Sequence, residues 1–284
     1  MKNFSIPSWI IFHVPHDSTF IPEEVRDQFI LDDKALDEEI LKISDLWTHV
    51  LLANGVPASQ IVAAPVNRLV VDVERFDDDA KEVMAKRGMG AVYRVRHDLT
   101  PLRRLISDDE RTRLLTKWYY PHHKKLSDAV DRSIDENWQA VIVDLHSFPS
   151  KPLPYEDDQE ADRPEICIGT DNGHTSDDLR DAFYESFSKE FKVAINRPFK
   201  GALVSLKHYG KCSLVQSIMV EVRRDLYMDE ATGAIRSDFG EVSQRLQKAL
   251  FEAIRLYSPN YKGEKPCGKK MTLSQWWAKK RTRH

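Results

Sequence analysis

Along the chain, short runs of consecutive apolar residues alternate with longer stretches in which apolar residues recur every three or four positions. The run Trp9-Ile10-Ile11-Phe12-His13-Val14 reads as a buried strand, closed by Pro15 and the polar turn His16-Asp17-Ser18-Thr19. Over residues 34–53, Leu36, Ile40, Ile43, Trp47, Val50 and Leu51 keep helical spacing and Asn54-Gly55 supplies a C-terminal stop, which predicts one helix. Strands are predicted at 60–64 and at 67–73, where Leu69-Val70-Val71 looks buried on both faces. Residues 77–105 are charged and irregular, and 109–137 reads as a helix bent near Pro121, which has no N–H to donate. Ala140-Val141-Ile142-Val143-Asp144-Leu145, dense in β-branched residues, carries the strongest strand signal. After a loop rich in proline and acid at 149–164 come a strand at 165–169, a helix at 176–190, strands at 192–196 and 214–222, and a helix at 239–257 marked by Val242, Leu246, Leu250 and Ile254.

Strands that are nearly continuously apolar and alternate with amphipathic helices predict an α/β fold: a three-layer arrangement with a mixed or parallel sheet covered by helices on both faces. One domain is expected over 1–261, followed by a basic tail at 262–284, where Lys279, Lys280, Arg281 and Arg283 crowd after Trp276-Trp277. With 284 residues, 41% of them apolar, the chain has the material for one sizeable core. The balance of 42 Lys+Arg against 45 Asp+Glu leaves a formal charge of −3, so no nucleic-acid partner is expected, and the tail reads as a solvated terminus. No run approaches the roughly 20 apolar residues that cross a bilayer and no targeting signal is seen, so neither membrane association nor export is expected. Three cysteines, Cys167, Cys212 and Cys267, form no CxxC, and no disulfide framework is expected; a reducing cytoplasm is the simplest setting.

In helix-covered sheets of this kind, ligands sit beyond the carboxyl ends of the strands. The polar residues there are His16 and Asp17, Arg75, Asp144-Leu145-His146-Ser147 and Glu221-Val222-Arg223-Arg224. Two imidazoles at strand ends suit a divalent metal, above all zinc, which takes three protein ligands in a catalytic site. Each histidine on its own could equally be a hydrogen-bonded strand-end residue. Asp144 alternates with His146 on one strand face and could orient the site or hold a turn. Glu221 lies deep in an apolar strand, where a carboxylate is costly unless paired or used. It is a general-base candidate, or else a salt-bridge partner of Arg223 or Arg68. Arg68 could hold a substrate carboxylate or simply pair with Asp72.

Val14-Pro15-His16, Asn67-Arg68 through Val73-Glu74-Arg75, Val143-Asp144-Leu145-His146-Ser147 and the stretch from Val220-Glu221-Val222-Arg223-Arg224 to Met228 resemble, in that order, motifs of the N-formylglutamate amidohydrolase family. Tyr119-Tyr120-Pro121-His122-His123 is also placed as in that family, which is related to zinc carboxypeptidases. The resemblance implies a zinc-exopeptidase-like fold and a cytoplasmic zinc-dependent hydrolase of amino-acid metabolism, with a small N-acyl amino acid as substrate, N-formyl-L-glutamate first. It implies one Zn²⁺ per chain, held by His16 and His146 and an acidic residue. Carboxypeptidases place that acid three residues after the first histidine, where this chain has Thr19; the family offers one in the following helix, matching Asp45, with Asp17 as the rival. The resemblance further implies Glu221 as catalytic base and Arg68 and Arg75 as substrate-binding residues, with His123, also placed at the substrate, and His208 as weaker candidates. Two departures stand out: Asp17-Ser18 replaces a small Ser-Gly pair, and Glu74 replaces the asparagine of an Asp-x-Asn-Arg pattern. They leave open a carboxypeptidase-like or other N-acyl amino acid hydrolase, or a metal-binding protein without catalysis.

Overall fold

The computed structural model describes residues 6–257. Among them, β1 (Ile10–Val14), β2 (Ile61–Ala63), β3 (Ala140–Phe148), β4 (Ile166–Thr170), β5 (Val193–Ile195) and β6 (Val215–Arg223) form one sheet in the order β2-β1-β3-β6-β4-β5. β2, β1, β3 and β6 run parallel; β4 is antiparallel to β6, and β5 parallel to β4. The helices are α1 (Asp33–Ile43), α2 (Thr48–Leu52), α3 (Asp108–Leu114), α4 (Tyr120–Asn137), α5 (Asp177–Ser188) and α6 (Phe239–Leu256).

Each strand arose from an apolar run, and alternation along it feeds two cores. Phe12, Val143, Leu145 and Val220 pack with Phe183 of α5 and Leu246 of α6 on one face. Ile11, Ile142 and Val215 meet Leu126 and Val130 of α4 on the other. The expected α/β sheet with helices on both faces is therefore present. Asp32 caps α1 by accepting from the Ala35 N–H, and Ser176 caps α5 by accepting from that of Leu179. No helix among the described residues is long and apolar enough to cross a membrane.

Three expectations fail in detail. The helix predicted over 34–53 is broken at 44–47 into α1 and α2. Ser44 ends α1 in an extended conformation and its Oγ accepts from Asn67 Nδ2, while Trp47 adopts a left-handed φ of 70°. That strain, about 1–2 kcal/mol for a side-chain-bearing residue, is held by the Trp47 N–H donating to Asp17 Oδ1 at 2.7 Å and the indole Nε1–H donating to the Gly233 carbonyl at 2.9 Å. The strand predicted at 67–73 is instead a buried, irregular segment. Asn67 Oδ1 accepts from the Leu69 N–H and Asp72 Oδ1 from the Glu74 N–H, so side chains satisfy the backbone locally. Leu69, Val70 and Val71 are buried in a third apolar cluster with Ile40, Tyr93 and Leu115. The long helix at 109–137 is interrupted by a π-helical turn at Leu115–Tyr119, which precedes Pro121 in the first turn of α4.

Among the described residues, Cys167 is buried and free and Cys212 is buried, while Cys267 lies outside the described residues. The basic tail at 262–284 lies outside the described residues.

Candidate metal centre

Three parallel strands deliver the site at their carboxyl ends. His16 follows β1 by two residues, and its carbonyl accepts from the Asp45 N–H at 2.9 Å, which ties the break between α1 and α2 to the end of β1. His146 lies near the end of β3. Asp45 Oδ2 lies 3.4 Å from His16 Nδ1 and 3.0 Å from His146 Nδ1, and the two Nδ1 atoms are 3.3 Å apart. All three side chains are buried. Ligands roughly 2 Å from one tetrahedral ion stand about 3.3 Å from each other, so this donor set fits a divalent metal.

The surrounding groups hold the donors in that arrangement. His16 Nε2–H donates to Asp72 Oδ1 at 2.9 Å, and Asp72 Oδ2 accepts from Tyr93 Oη at 2.6 Å and from Arg68 Nη2 at 2.8 Å. Asp45 Oδ1 accepts from Arg224 Nη2 at 3.0 Å, while Arg224 Nη1 donates to the Lys42 carbonyl at 2.7 Å. Such partners orient ligating imidazoles and carboxylates. Burial by itself would raise the Asp45 carboxyl, but hydrogen bonds and charge from His146 and His16 hold it well below the usual carboxylate range. Asp17 is spent elsewhere: Oδ1 and Oδ2 accept from the Trp47 and His49 N–H groups and cap α2.

Glu221 stands beside His146 in the register of β3 against β6. Its Oε2 is buried without a hydrogen-bond partner, because Arg223 pairs with Asp225 and Arg68 with Asp72. Burial pushes the Glu221 carboxyl up to about 8, with the charge of His146 opposing the rise and that of Asp45 adding to it. A cavity of about 300 Å³ adjoins the cluster, lined by Glu74, Arg75, His123, Asp144, Lys200 and Tyr209 among others. Both ring nitrogens of His123 are buried there without partners, and burial drives its pKa down to about 4, which keeps the ring neutral at pH 7. Arg75 is half-buried on the same wall, whereas Arg68 is committed to Asp72 and sits behind the donors.

His16, Asp45, His146 and Glu221 are thus brought together, with Arg75 and His123 on the adjoining wall. His208 is not among them; it bonds Asp131 and Ser205 on the surface side of α4. Sequence reasoning noted Arg224 and His122 without giving either a role, and it did not single out Lys200 or His13. The signal for Arg224 was its place three residues after Glu221, and for His13 its intrusion into an otherwise apolar strand.

Fold and site together define an α/β protein whose buried imidazole and carboxylate donors, gathered at the strand ends, have the makings of a metal centre. A family model described as N-formylglutamate amidohydrolase matches residues 8–228, and the chain belongs to that family of hydrolases. It is 26% identical over 253 residues to an N-formylglutamate deformylase of Pseudomonas putida, covering 86% of this chain and 91% of that protein. It is 27% identical over 253 residues to another from Pseudomonas aeruginosa, with 86% and 92% covered. Its fold matches the crystal structure of an N-formylglutamate amidohydrolase from Ralstonia eutropha JMP134 with a TM-score of 0.70 at 21% identity, over 87% of this chain and 92% of that one. A gene product of Agrobacterium tumefaciens shares the fold at a TM-score of 0.62 and 19% identity, over 85% and 90%.

Proposed function

We propose that the chain is a zinc-dependent amidohydrolase that cleaves N-formyl-L-glutamate to formate and glutamate in the cytoplasm. The observation that carries this reading is the set of three donors at 3.0–3.4 Å spacing beside a carboxyl with an unpartnered oxygen, in a chain of this family. His16, Asp45 and His146 would hold one Zn²⁺, which when bound supplies Lewis acidity to the formyl carbonyl and to water. Glu221 takes a proton from the attacking water and delivers it to the departing amide nitrogen, so that water adds across the C–N bond and formate and the free amine leave. Burial raises the Glu221 carboxyl and a neighbouring cation would draw it down, and a proton shuttle works between those opposed influences. Arg75 grips a substrate carboxylate in the cavity, with Lys200 on the same wall and neutral His123 as a hydrogen-bonding group. Arg68, through Asp72, keeps His16 in position.

The purified protein is expected to release formate from N-formyl-L-glutamate, to stop when chelated, and to resume with added zinc; His146→Ala releases no formate with or without added zinc. Zinc-loaded protein that releases no formate overturns the proposal. Glu74, where the family pattern has asparagine, favours one second reading, a hydrolase of a different N-acyl amino acid. Rates on formyl-, acetyl- and peptidyl-glutamate separate the two.

A further inference from the structure

Behind His146, on the side away from Asp45, a second group of donors converges. His13 and Asp144 are register neighbours on β1 and β3, and His13 Nδ1 lies 2.7 Å from Asp144 Oδ1. Glu74, from the irregular segment after β2, brings Oε1 to 3.5 Å from His13 Nδ1 and Oε2 to 3.2 Å from His146 Nε2; Asp144 Oδ1 is also 3.2 Å from His146 Nε2. His13 and Asp144 are fully buried and His146 is 4% exposed.

Hydrogen bonding leaves this group incomplete. His146 Nε2 has two carboxylate oxygens at 3.2 Å, yet neither lies close enough to the N–H direction to accept, and Nε2 is buried without a hydrogen-bond partner. Glu74 Oε1 is buried and unpartnered too. A buried carboxylate without its hydrogen bonds is costly. Oxygens displaced to the sides of a ring nitrogen, at separations near 3.3 Å, are placed as co-ligands of one cation. The far side of His13 supports that role: Nε2 lies 2.8 Å from His122 Nε2 and can donate there, so Nδ1, which is hydrogen-bonded to Asp144 Oδ1 at 2.7 Å, can exchange its proton for a cation that Asp144 also ligates. Because Glu74 and Asp144 also line the 300 Å³ cavity, an ion has a way in.

We infer that His13 Nδ1, Glu74, Asp144 and His146 Nε2 form a second site for a divalent transition cation, with the His146 ring bridging it to the site of His16 and Asp45. Two nitrogens and two carboxylate oxygens suit zinc or manganese. Binding displaces protons from His13 Nδ1 and His146 Nε2 to solvent. The inference shares His146 with the proposed catalytic site but does not need that site to be catalytic.

The test is zinc stoichiometry on the full-length protein, stripped by chelation and reloaded with Zn²⁺ alone. It uses elemental analysis after desalting, together with anomalous scattering at the zinc edge from crystals of the parent. The expected result is two zinc ions per chain with two anomalous peaks, one on each side of the His146 ring. Glu74→Gln is expected to hold one, at the Asp45 side, and His16→Ala one, at the Glu74 side. One ion in the parent, lost in His16→Ala and kept in Glu74→Gln, overturns the second site and leaves the proposed function standing. One ion lost in Glu74→Gln and kept in His16→Ala sustains the second site and removes the metal from the proposed function. No ion at either position overturns both. The anomalous map of the parent decides the matter even where a variant fails to fold.

Discussion

On β1, β3 and β6, the residues facing α2, α5 and α6 are Phe12, Val14, Val143, Leu145, Val220 and Val222, all buried in one apolar cluster. One residue along each strand, the opposite face carries His13, Asp144, His146 and Glu221, which are just as buried. The first face stabilises: each such side chain contributes about 1.5–3 kcal/mol by leaving water. The second face costs, since ionisable groups removed from water are penalised by several kcal/mol each unless paired. The same strands bear both loads because side chains alternate with a period of two. The lesson is that stability and chemistry are separated here by direction rather than by distance, so mutations one position apart should differ in kind.

The largest effect should come from Glu221→Gln. On the proposed reading, turnover falls by about 10²–10⁴-fold, while the metal-free protein melts no lower than the parent, because a buried ionisable group is replaced by a neutral one of the same shape. Full turnover with zinc bound would remove Glu221 from the mechanism. Leu145→Ala, its counterpart on the apolar face, is expected to lose about 2–5 kcal/mol in denaturant unfolding with zinc affinity unchanged within a few-fold. If Leu145→Ala weakened zinc binding a hundred-fold, the two faces would not be separable. Arg224→Met frees Asp45 Oδ1 and should weaken zinc by about 10–100-fold, read by competition with a chelator; unaltered affinity would show that Asp45 needs no brace.

The smallest effect concerns pH. Burial raises the Glu221 carboxyl from its ordinary 4.5 to about 8, so the folded protein binds a proton more readily than the unfolded chain. Its contribution to stability is fully present below about 4.5 and is lost as pH rises through about 8. The melting temperature of metal-free parent relative to Glu221→Gln should therefore fall between pH 5.5 and pH 9. A constant difference would contradict the burial of a neutral carboxyl.

Much of this organisation was legible along the chain. The strands announced themselves as apolar runs, and His16, His146 and Glu221 stood out as polar residues at or near the ends of those runs. Asp45 was expected, from the family resemblance and with Asp17 as its rival, to join the histidines, and the structure brings it to them, yet from a break in a helix expected to be continuous. Apolar spacing continues through Ile43, Trp47 and Leu51, and nothing local reveals that Asn67, some 20 residues on, donates to Ser44 Oγ and that Asp17 caps a new helix. Leu69-Val70-Val71 misled for the complementary reason: an apolar run records burial, and burial in a turn looks the same as burial in a strand.

The chain by itself determined the layered α/β fold and which side chains stand at the strand ends, since both follow from periodicity and from the direction of the strands. Tertiary structure alone decided what those side chains do. It turned two Nδ1 atoms toward Asp45, drew Arg68 onto Asp72 and away from the cavity, and set Arg224 on Asp45 and Glu74 against His146. Those pairings join residues between four and 179 positions apart. Their energies depend on distances of a few ångströms in a dry interior, which no one-dimensional pattern encodes.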